Sequence, residues 1–196
     1  MRWVIDKSFS FCYGHRVWTQ KLEEEFCAVG DNLCKCRHLH GHEGLVRINL
    51  ASNSLHNSMV TDFKHLGWLK DFLDDTLDHK FIIDRNDPMF NFMVHEPWDS
   101  KIYWGKYNDV YTAITIPGTD KIIGYILNLT NVDHQTPLYE ILSGFFIVDF
   151  VPTSEELAKW LYEIVKIKMS KIDIESVEWC ETPKSSAIYF KGEENE

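Results

Sequence analysis

Residues 3–15 read Trp3-Val4-Ile5-Asp6-Lys7-Ser8-Phe9-Ser10-Phe11-Cys12-Tyr13-Gly14-His15. The odd positions of this stretch are mostly apolar or aromatic, and a period of two predicts a strand with one buried face. The even positions of residues 40–50 repeat the pattern and predict a second strand. Histidines lie at the ends of both strands, because His15 ends the first and His40 and His42 begin the second.

A helix is predicted to follow the two strands. Thr61 or Asp62 can cap its free amides, and leucines recur at spacings of three and four as far as Leu77. The helix delivers Asp78 and His79 at its C-terminal end.

The last quarter of the chain predicts a second helix and a hairpin. Thr153 and Glu156 have capping-box spacing, and an apolar stripe continues from there to about Ser170. Residues 174–182 and 187–191 read as two short strands joined by a turn-rich link. The skeleton is therefore β-β-α, a long intervening segment, and α-β-β.

The segment from Asp84 to Phe150 differs from its surroundings. Residues 111–116 and 121–127 flank a Pro-Gly turn signal and predict an inserted hairpin. We therefore predict one domain, residues 1–196, with an inserted subdomain at about 84–150. The segment is rich in aromatic side chains: Phe90, Phe92, Trp98, Tyr103, Trp104, Tyr107 and Tyr111.

Composition excludes several classes of protein. The 196 residues are 44% hydrophobic and 26% charged, as in ordinary globular domains. A net charge of −10 disfavours general binding to nucleic acid. We expect no membrane span and no secretory signal. Five scattered cysteines indicate reduced thiols, so a cytoplasmic protein is expected.

The histidines suggest a metal site. His40 and His42 lie at i and i+2 on one face of a strand, where both imidazoles can reach one ion. Nine histidines produce such a pair by chance in many chains. His15 adds a third nitrogen, and three protein ligands with an open position are typical of catalytic zinc. Three unrelated histidines at strand ends remain the alternative.

Cys36, four residues before His40, has three interpretations. Its thiol is a fourth ligand, an inert buried group or an acid/base catalyst. A metal pair of Cys34 with Cys36 is less favoured, because added thiolates would close the site to substrate.

The candidate carboxylates also have two interpretations each. Asp78 and His79 form either a favourable helix terminus or a carboxylate–imidazole pair that moves protons. Glu181 is either an exposed rim carboxylate or an acceptor for the adjacent N–H groups of a guanine-like ring.

Four blocks of sequence, taken together, resemble the family of 6-pyruvoyltetrahydropterin and 6-carboxytetrahydropterin synthases. The first two blocks are Phe9–Arg16 and Cys36–His42, the latter resembling a catalytic cysteine followed by His-Gly-His. The third runs from Met59–Phe63 to a Leu-Asp-His signature at residues 77–79. The fourth joins Pro152–Glu155 to Glu181-Thr182 and Tyr189–Glu193. The resemblance covers about residues 1–83 and 151–193.

The resemblance implies an α+β tunnelling fold. In that fold an antiparallel four-stranded sheet carries two helices on one face in ββααββ order, here with an insertion between the helices. It further implies a homohexamer built as a dimer of trimers, with active sites between subunits.

The resemblance also implies roles for individual residues. A zinc ion would be held by His15, His40 and His42. Cys36 would be the acid/base thiol, supported in proton transfer by Asp78 and His79. The pterin ring would be anchored by Glu181, with help from Thr153 and Ser154.

The implied reaction converts 7,8-dihydroneopterin triphosphate to 6-carboxy-5,6,7,8-tetrahydropterin, releasing acetaldehyde and triphosphate, in the pathway to 7-deazaguanines such as queuosine. The three residues between Cys36 and His40 resemble the spacing of the bacterial carboxy-forming group. A 6-pyruvoyltetrahydropterin synthase is the alternative product assignment. For the triphosphate we expect a local basic site, with Arg16, Arg37 and Lys80 as candidates by proximity.

Two further readings compete with this enzyme. The long insertion is compatible with a binding relative that holds zinc or a pterin without turnover. A folate-pathway relative that cleaves dihydroneopterin differently is disfavoured, because such relatives typically carry glutamate where Cys36 stands.

Overall fold

The first two strands form the centre of the structure, a computed structural model that describes residues 1–28, 33–94 and 110–192. β1 (Trp3–His15) and β2 (His40–Ser52) pair antiparallel over their whole length. In this register His40 lies opposite His15, and His42 lies opposite Tyr13. The predicted strands and their histidine ends are confirmed.

Both predicted helices are present with the expected caps. A 3₁₀ turn (Phe63–Leu66) leads into α1 (Gly67–Thr76), and Asp62 accepts a hydrogen bond from the Lys64 amide at its start. α4 (Ser154–Lys168) begins after Thr153, whose hydroxyl accepts from the Glu156 amide. The other elements are β3 (Lys80–Asp84), α2 (Phe90–Val94), β4 (Tyr111–Thr115), β5 (Ile122–Leu127), α3 (Pro137–Ser143), β6 (Phe145–Val148), β7 (Asp173–Thr182), β8 (Ser185–Phe190) and 3₁₀ turns at Glu24–Phe26 and Lys35–Arg37.

The prediction of a four-stranded antiparallel sheet was wrong. The described residues form one eight-stranded mixed sheet in the order β4-β5-β6-β3-β1-β2-β7-β8. The predicted four strands make up one half of it, and β3 extends the sheet by pairing parallel to β1 through residues 13–15. β6 in turn pairs parallel to β3. Strands buried on both faces read as short continuous apolar runs without alternation, so periodicity did not reveal β3 or β6.

The two faces of the sheet carry separate cores. α1 and α4 pack on one face, where Phe11 and Tyr13 of β1, Ile48 of β2 and Trp179 of β7 are buried with them. A second cluster around Ile83, with residues of α2, α3 and β6, covers the other face of the added strands. The strands of the insertion therefore extend the main sheet, and the second cluster packs against their other face.

The inserted hairpin is confirmed as β4 and β5. Trp98, Tyr103, Trp104 and Tyr107 lie outside the described residues, as does Glu193. The division of the chain at about 84–150 stays a prediction.

Among the helices that are described, none combines the length and the apolar character needed to cross a bilayer.

Candidate functional site

The strand register brings three histidines together at one end of the sheet. His15 is fully buried at the end of β1, directly opposite His40 and diagonal to His42. The Nε2 atom of His15 lies 3.1 Å from the Nε2 atoms of both other rings. The three ligand atoms all lie within 4.8 Å of one another.

Backbone carbonyls decide which nitrogen of two of these rings carries the proton. Nδ1 of His15 lies 2.7 Å from the carbonyl oxygen of Pro152, and Nδ1 of His40 lies 2.8 Å from that of His38. Because a carbonyl oxygen only accepts, both Nδ1 atoms donate, and in the neutral form of each ring Nε2 keeps a lone pair. This is the tautomer and the outer support that metal-bound histidines require.

The donor set fits a zinc ion. Zn–N bonds of about 2.0–2.1 Å at tetrahedral angles separate ligand nitrogens by about 3.3–3.4 Å, close to the observed 3.1 Å. The facing Nε2 lone pairs of His15 and His40 repel unless a cation lies between them. Burial lowers the pKa of His15 to about 4 and also lowers the pKa of His42, so both rings are neutral near pH 7.

An aromatic wall backs the three histidines. The ring centroid of Tyr13 lies 5.3 Å from that of His15 and 5.6 Å from that of His42. Its hydroxyl accepts a 2.9 Å hydrogen bond from Nε1 of Trp179, and burial raises its pKa above the ordinary value. A Cβ atom at Gly44 would lie 2.7 Å from the Tyr13 ring, so the close approach of this ring requires glycine.

Glu181 lies beside the histidines. β7 pairs with β2, and just beyond the paired residues the carboxylate of Glu181 comes within 3.7 Å of Nε2 of His15. Its side chain is 22% exposed, so it is accessible from solvent while adding negative potential to the site. A cation and a ring with N–H donors are both suitable neighbours for it.

Cys36 lies on the loop that enters β2, within a 3₁₀ turn. Its backbone amide donates to Sγ of Cys34 at 3.5 Å, and its carbonyl accepts from the amide of Val17 at 2.9 Å. Burial raises the pKa of the thiol to about 11, with further contributions from Cys34 and Glu181. The thiol is therefore protonated near pH 7 in the absence of a nearby cation.

Asp78 and His79 form the predicted pair, in the connection between α1 and β3. One oxygen of Asp78 accepts from the Cys12 amide (2.8 Å) and the other lies 2.8 Å from Nδ1 of His79. The Cys12 hydrogen bond and then the His79 contact lower the pKa of Asp78. His79 adopts a positive φ of 58° and donates its amide to the Cys12 carbonyl.

The imidazole of His79 does not join the three histidines of its own chain. It is 80% exposed and lines an open groove of about 670 Å³ whose walls also include Cys12, His40 and His42. The side chain of Cys12, whose amide binds Asp78, alternates with those of Tyr13 and His15 and so points to the opposite face of the sheet. Neither a hydrogen bond nor an ion pair links His79 to Cys36 in the described part of the chain.

The other predicted residues lie as follows. Thr153 and Ser154 begin α4 directly after Pro152, whose carbonyl orients His15. The predicted basic residues are each engaged elsewhere: Arg16 with Asp87, Arg37 with the Gln20 carbonyl and Lys80 with the Ser143 carbonyl.

Sequence reasoning missed two contributors to the site. Pro152 acts through its backbone carbonyl, for which side-chain patterns contain no signal. Tyr13 was read only as an apolar strand position, although its place two residues before His15 on the same strand face was visible.

Comparisons with known proteins place the chain in a family. The sequence model of 6-pyruvoyl tetrahydropterin synthase matches residues 4–192. A protein of Aquifex aeolicus named 6-carboxy-5,6,7,8-tetrahydropterin synthase is 31% identical over 199 residues, covering 96% of this chain and 98% of the relative. A protein of Rickettsia bellii with the same name is 32% identical over 87 residues, covering 42% of this chain and 61% of the relative.

Solved structures share the fold of this chain. The crystal structure of an uncharacterized protein from Wolinella succinogenes superposes with a TM-score of 0.83 at 37% identity, covering 98% of this chain and 99% of the other. A 6-pyruvoyl tetrahydropterin synthase of Caenorhabditis elegans shares the fold, with a TM-score of 0.51 at 19% identity over 98% of this chain and 97% of the other. The family match spans nearly the whole sequence, and the chain therefore belongs to the 6-pyruvoyl tetrahydropterin synthase family.

Proposed function

We propose that this protein is a zinc-dependent lyase that converts 7,8-dihydroneopterin triphosphate and water to 6-carboxy-5,6,7,8-tetrahydropterin, acetaldehyde and triphosphate. The product is a precursor of 7-deazaguanines such as queuosine. The observation that carries the proposal is the convergence of three Nε2 atoms beside Glu181 and the Cys36 loop. The full-length relative named 6-carboxy-5,6,7,8-tetrahydropterin synthase supports the choice of product.

His15, His40 and His42 would hold the zinc ion. When bound, zinc acts as a Lewis acid that makes the side-chain hydroxyls of the substrate more acidic. The carbonyls of Pro152 and His38 keep two of the rings in the ligating tautomer. The buried position of His15 beside Tyr13 excludes water from the back of the site.

The remaining residues would bind the pterin and move protons. Glu181 would accept hydrogen bonds from N–H groups of the pterin ring, with help from Thr153 and Ser154 at the start of α4. Cys36 is the acid/base thiol. Its protonated state suits it to donate a proton first, and a positive charge nearby would lower its raised pKa towards a working range.

The exposed pair of Asp78 and His79 would serve a neighbouring subunit. In one chain the exposed ring of His79 is not part of the three-histidine cluster, and no hydrogen bond links it to Cys36 among the described residues, so we assign it to the site of a second copy. Edges for assembly are available. In the described part of the chain no strand pairs with the outer edge of β1 between Trp3 and Cys12 or with that of β8. Joining these edges between three copies would close a trimeric ring. Two such rings would then stack as a homohexamer.

The reaction would take place in the cytoplasm. All five cysteines are free thiols, as expected in a reducing compartment.

Product analysis tests the proposed reaction. Zinc-loaded protein is incubated with dihydroneopterin triphosphate, acetaldehyde is trapped, and the pterins are identified by mass spectrometry. We expect acetaldehyde and 6-carboxytetrahydropterin in equal amounts. Formation of 6-pyruvoyltetrahydropterin would assign the alternative reaction, and tight pterin binding without turnover would assign a binding protein. Cys36→Ala should abolish turnover with zinc still bound, whereas Cys27→Ala, at a cysteine outside the site, should not.

A mixed-oligomer experiment tests the shared site. Cys36→Ala and His79→Ala chains, each inactive alone, are co-expressed with different tags and purified together. Sites that combine an intact Cys36 from one chain with an intact His79 from the other should restore part of the activity. A mixed oligomer without activity would show that each chain supplies both groups to its own site.

A further inference from the structure

The segment directly after His15 is fastened to the beginning of the insertion. Nε of Arg16 lies 2.8 Å from Oδ2 of Asp87, and Nε1 of Trp18 donates to Oδ2 of Asp84 at 2.9 Å. Asp84 and Asp87 are only 3% and 4% exposed. The arginine side chain is 15% exposed, so this ion pair is largely removed from solvent.

Each of the two carboxylates divides its oxygens between two segments. Oδ1 of Asp84 accepts from the amide and the side chain of Asn86, and Oδ1 of Asp87 accepts from the amide of Met89. These bonds fix the chain after β3, and the Oδ2 atoms hold residues 16–18. The two aspartates therefore lock the start of the insertion to the segment that follows the first candidate metal ligand.

Between the side chains of Arg16 and Trp18, the backbone of Val17 contacts the loop that carries Cys36. The amide of Val17 donates to the carbonyl of Cys36 at 2.9 Å, and Val17 is itself buried. Among the described residues, this is the one backbone hydrogen bond between segment 16–18 and the Lys35–Arg37 turn. A shift of Arg16 or Trp18 would thus move Cys36 relative to His15.

We propose that Asp84 and Asp87 are positioning residues for Cys36, acting through residues 16–18. The inference rests on the proposed function, because it assigns Cys36 the acid/base role. A buried carboxylate is costly unless its charge is paired, and the ion-pair partner of Asp87 and one donor to Asp84 lie on residues 16–18, between His15 and the Cys36 loop. Displacing a catalytic group by about 1 Å can cost on the order of 100-fold in rate, so such anchoring has kinetic consequences.

The test uses Asp87→Asn and Trp18→Phe in the zinc-loaded protein. Asp87→Asn keeps the size and the acceptor for Met89 but loses the charge facing Arg16. Trp18→Phe keeps an aromatic ring and loses only the donor to Asp84. In both variants we expect kcat to fall, by about tenfold for Asp87→Asn, with KM changed less than about twofold.

A second readout follows the thiol without requiring activity. The alkylation of Cys36 by iodoacetamide is measured by peptide mass spectrometry below the melting temperature. Loosening the loop should expose the half-buried thiol and accelerate alkylation at least about threefold. Asp74→Asn, which removes an exposed ion pair with Lys70 on α1, is the matched control and should leave kcat and alkylation unchanged.

Defined outcomes overturn the proposal. A folded Asp87→Asn variant whose kcat and Cys36 alkylation rate equal those of the wild type would overturn it. A lowered melting temperature with an unchanged alkylation rate would also overturn it, because that result indicates a purely structural role. If Asp87→Asn fails to fold, Trp18→Phe decides by the same criteria. If the wild-type protein does not turn over the pterin triphosphate, the proposed function fails, whereas the alkylation rates still decide the positioning role.

Discussion

The Nε2 atoms of His15 and His40 lie 3.1 Å apart, and both point lone pairs at the same space. In its neutral form each ring has one N–H group, and that group donates to a backbone carbonyl: that of Pro152 for His15 and that of His38 for His40. Two unshared lone pairs at this distance repel. The arrangement is therefore preorganised for a cation, and its stability should depend on one.

The first prediction concerns metal content. His40→Ala removes one of three ligands, so zinc measured by mass spectrometry should fall from about one ion per chain to below about 0.1. A chelator should lower the melting temperature of the wild-type protein and leave that of His40→Ala unchanged. His56→Ala, at an exposed histidine outside the site, is the control. Full zinc occupancy in His40→Ala would contradict the ligand set.

The second prediction uses the lowered pKa of Asp78. A carboxyl group whose folded pKa is depressed stabilises the fold above its unfolded pKa, and this contribution is lost as the pH falls through the folded pKa. Asp78→Asn keeps an acceptor for the Cys12 amide but no charge. It should lower the free energy of unfolding by about 1 kcal/mol at pH 7, measured by urea denaturation. The difference should shrink as the pH falls below 3.8, and a constant difference would refute the charge effect.

The third prediction concerns the hydrogen bond between Tyr13 and Trp179. Tyr13→Phe leaves the Nε1–H group of Trp179 buried without its acceptor, which should cost about 1–3 kcal/mol of unfolding free energy. Trp179→Phe removes the donor instead. The double variant should be less destabilised than the sum of the two single variants, as seen in urea denaturation. Strict additivity would mean that the two groups do not interact.

The fourth prediction contrasts two glycines. A Cβ atom at Gly44 would lie 2.7 Å from the Tyr13 ring, which backs His42, so Gly44→Ala should destabilise the protein and weaken zinc binding. Gly67→Ala, at the first residue of α1, meets nothing within 4 Å and should be neutral or stabilising by up to about 1 kcal/mol. Equal melting temperatures and equal zinc affinities for the two variants would contradict the packing argument.

Local patterns predicted much of the candidate site. The alternation in β1 and β2 fixed which faces carry His15, His40 and His42, because side-chain direction in a strand depends only on position parity. The caps at Asp62 and Thr153 were also recognisable, since the bonds they form reach only two or three residues along the chain.

Non-local features could not be predicted in this way. β3 and β6 lack polar alternation because both of their faces are largely buried, so periodicity did not show that they extend the four-stranded sheet that the resemblance implied. The contact between His15 and Pro152 joins residues 137 positions apart. The exposed orientation of His79 likewise depends on the path of the chain between α1 and β3.

Residue type and short spacing were enough to predict the two histidine-bearing strands, the two capped helices and the similarity to a pterin synthase family. Three features required the folded chain: the meeting of three Nε2 atoms, the extension of the main sheet by the insertion, and the contacts of Asp84 and Asp87 with residues 16–18. These relations arise from packing and buried charge between distant segments, and the energy of such contacts is not contained in any local pattern.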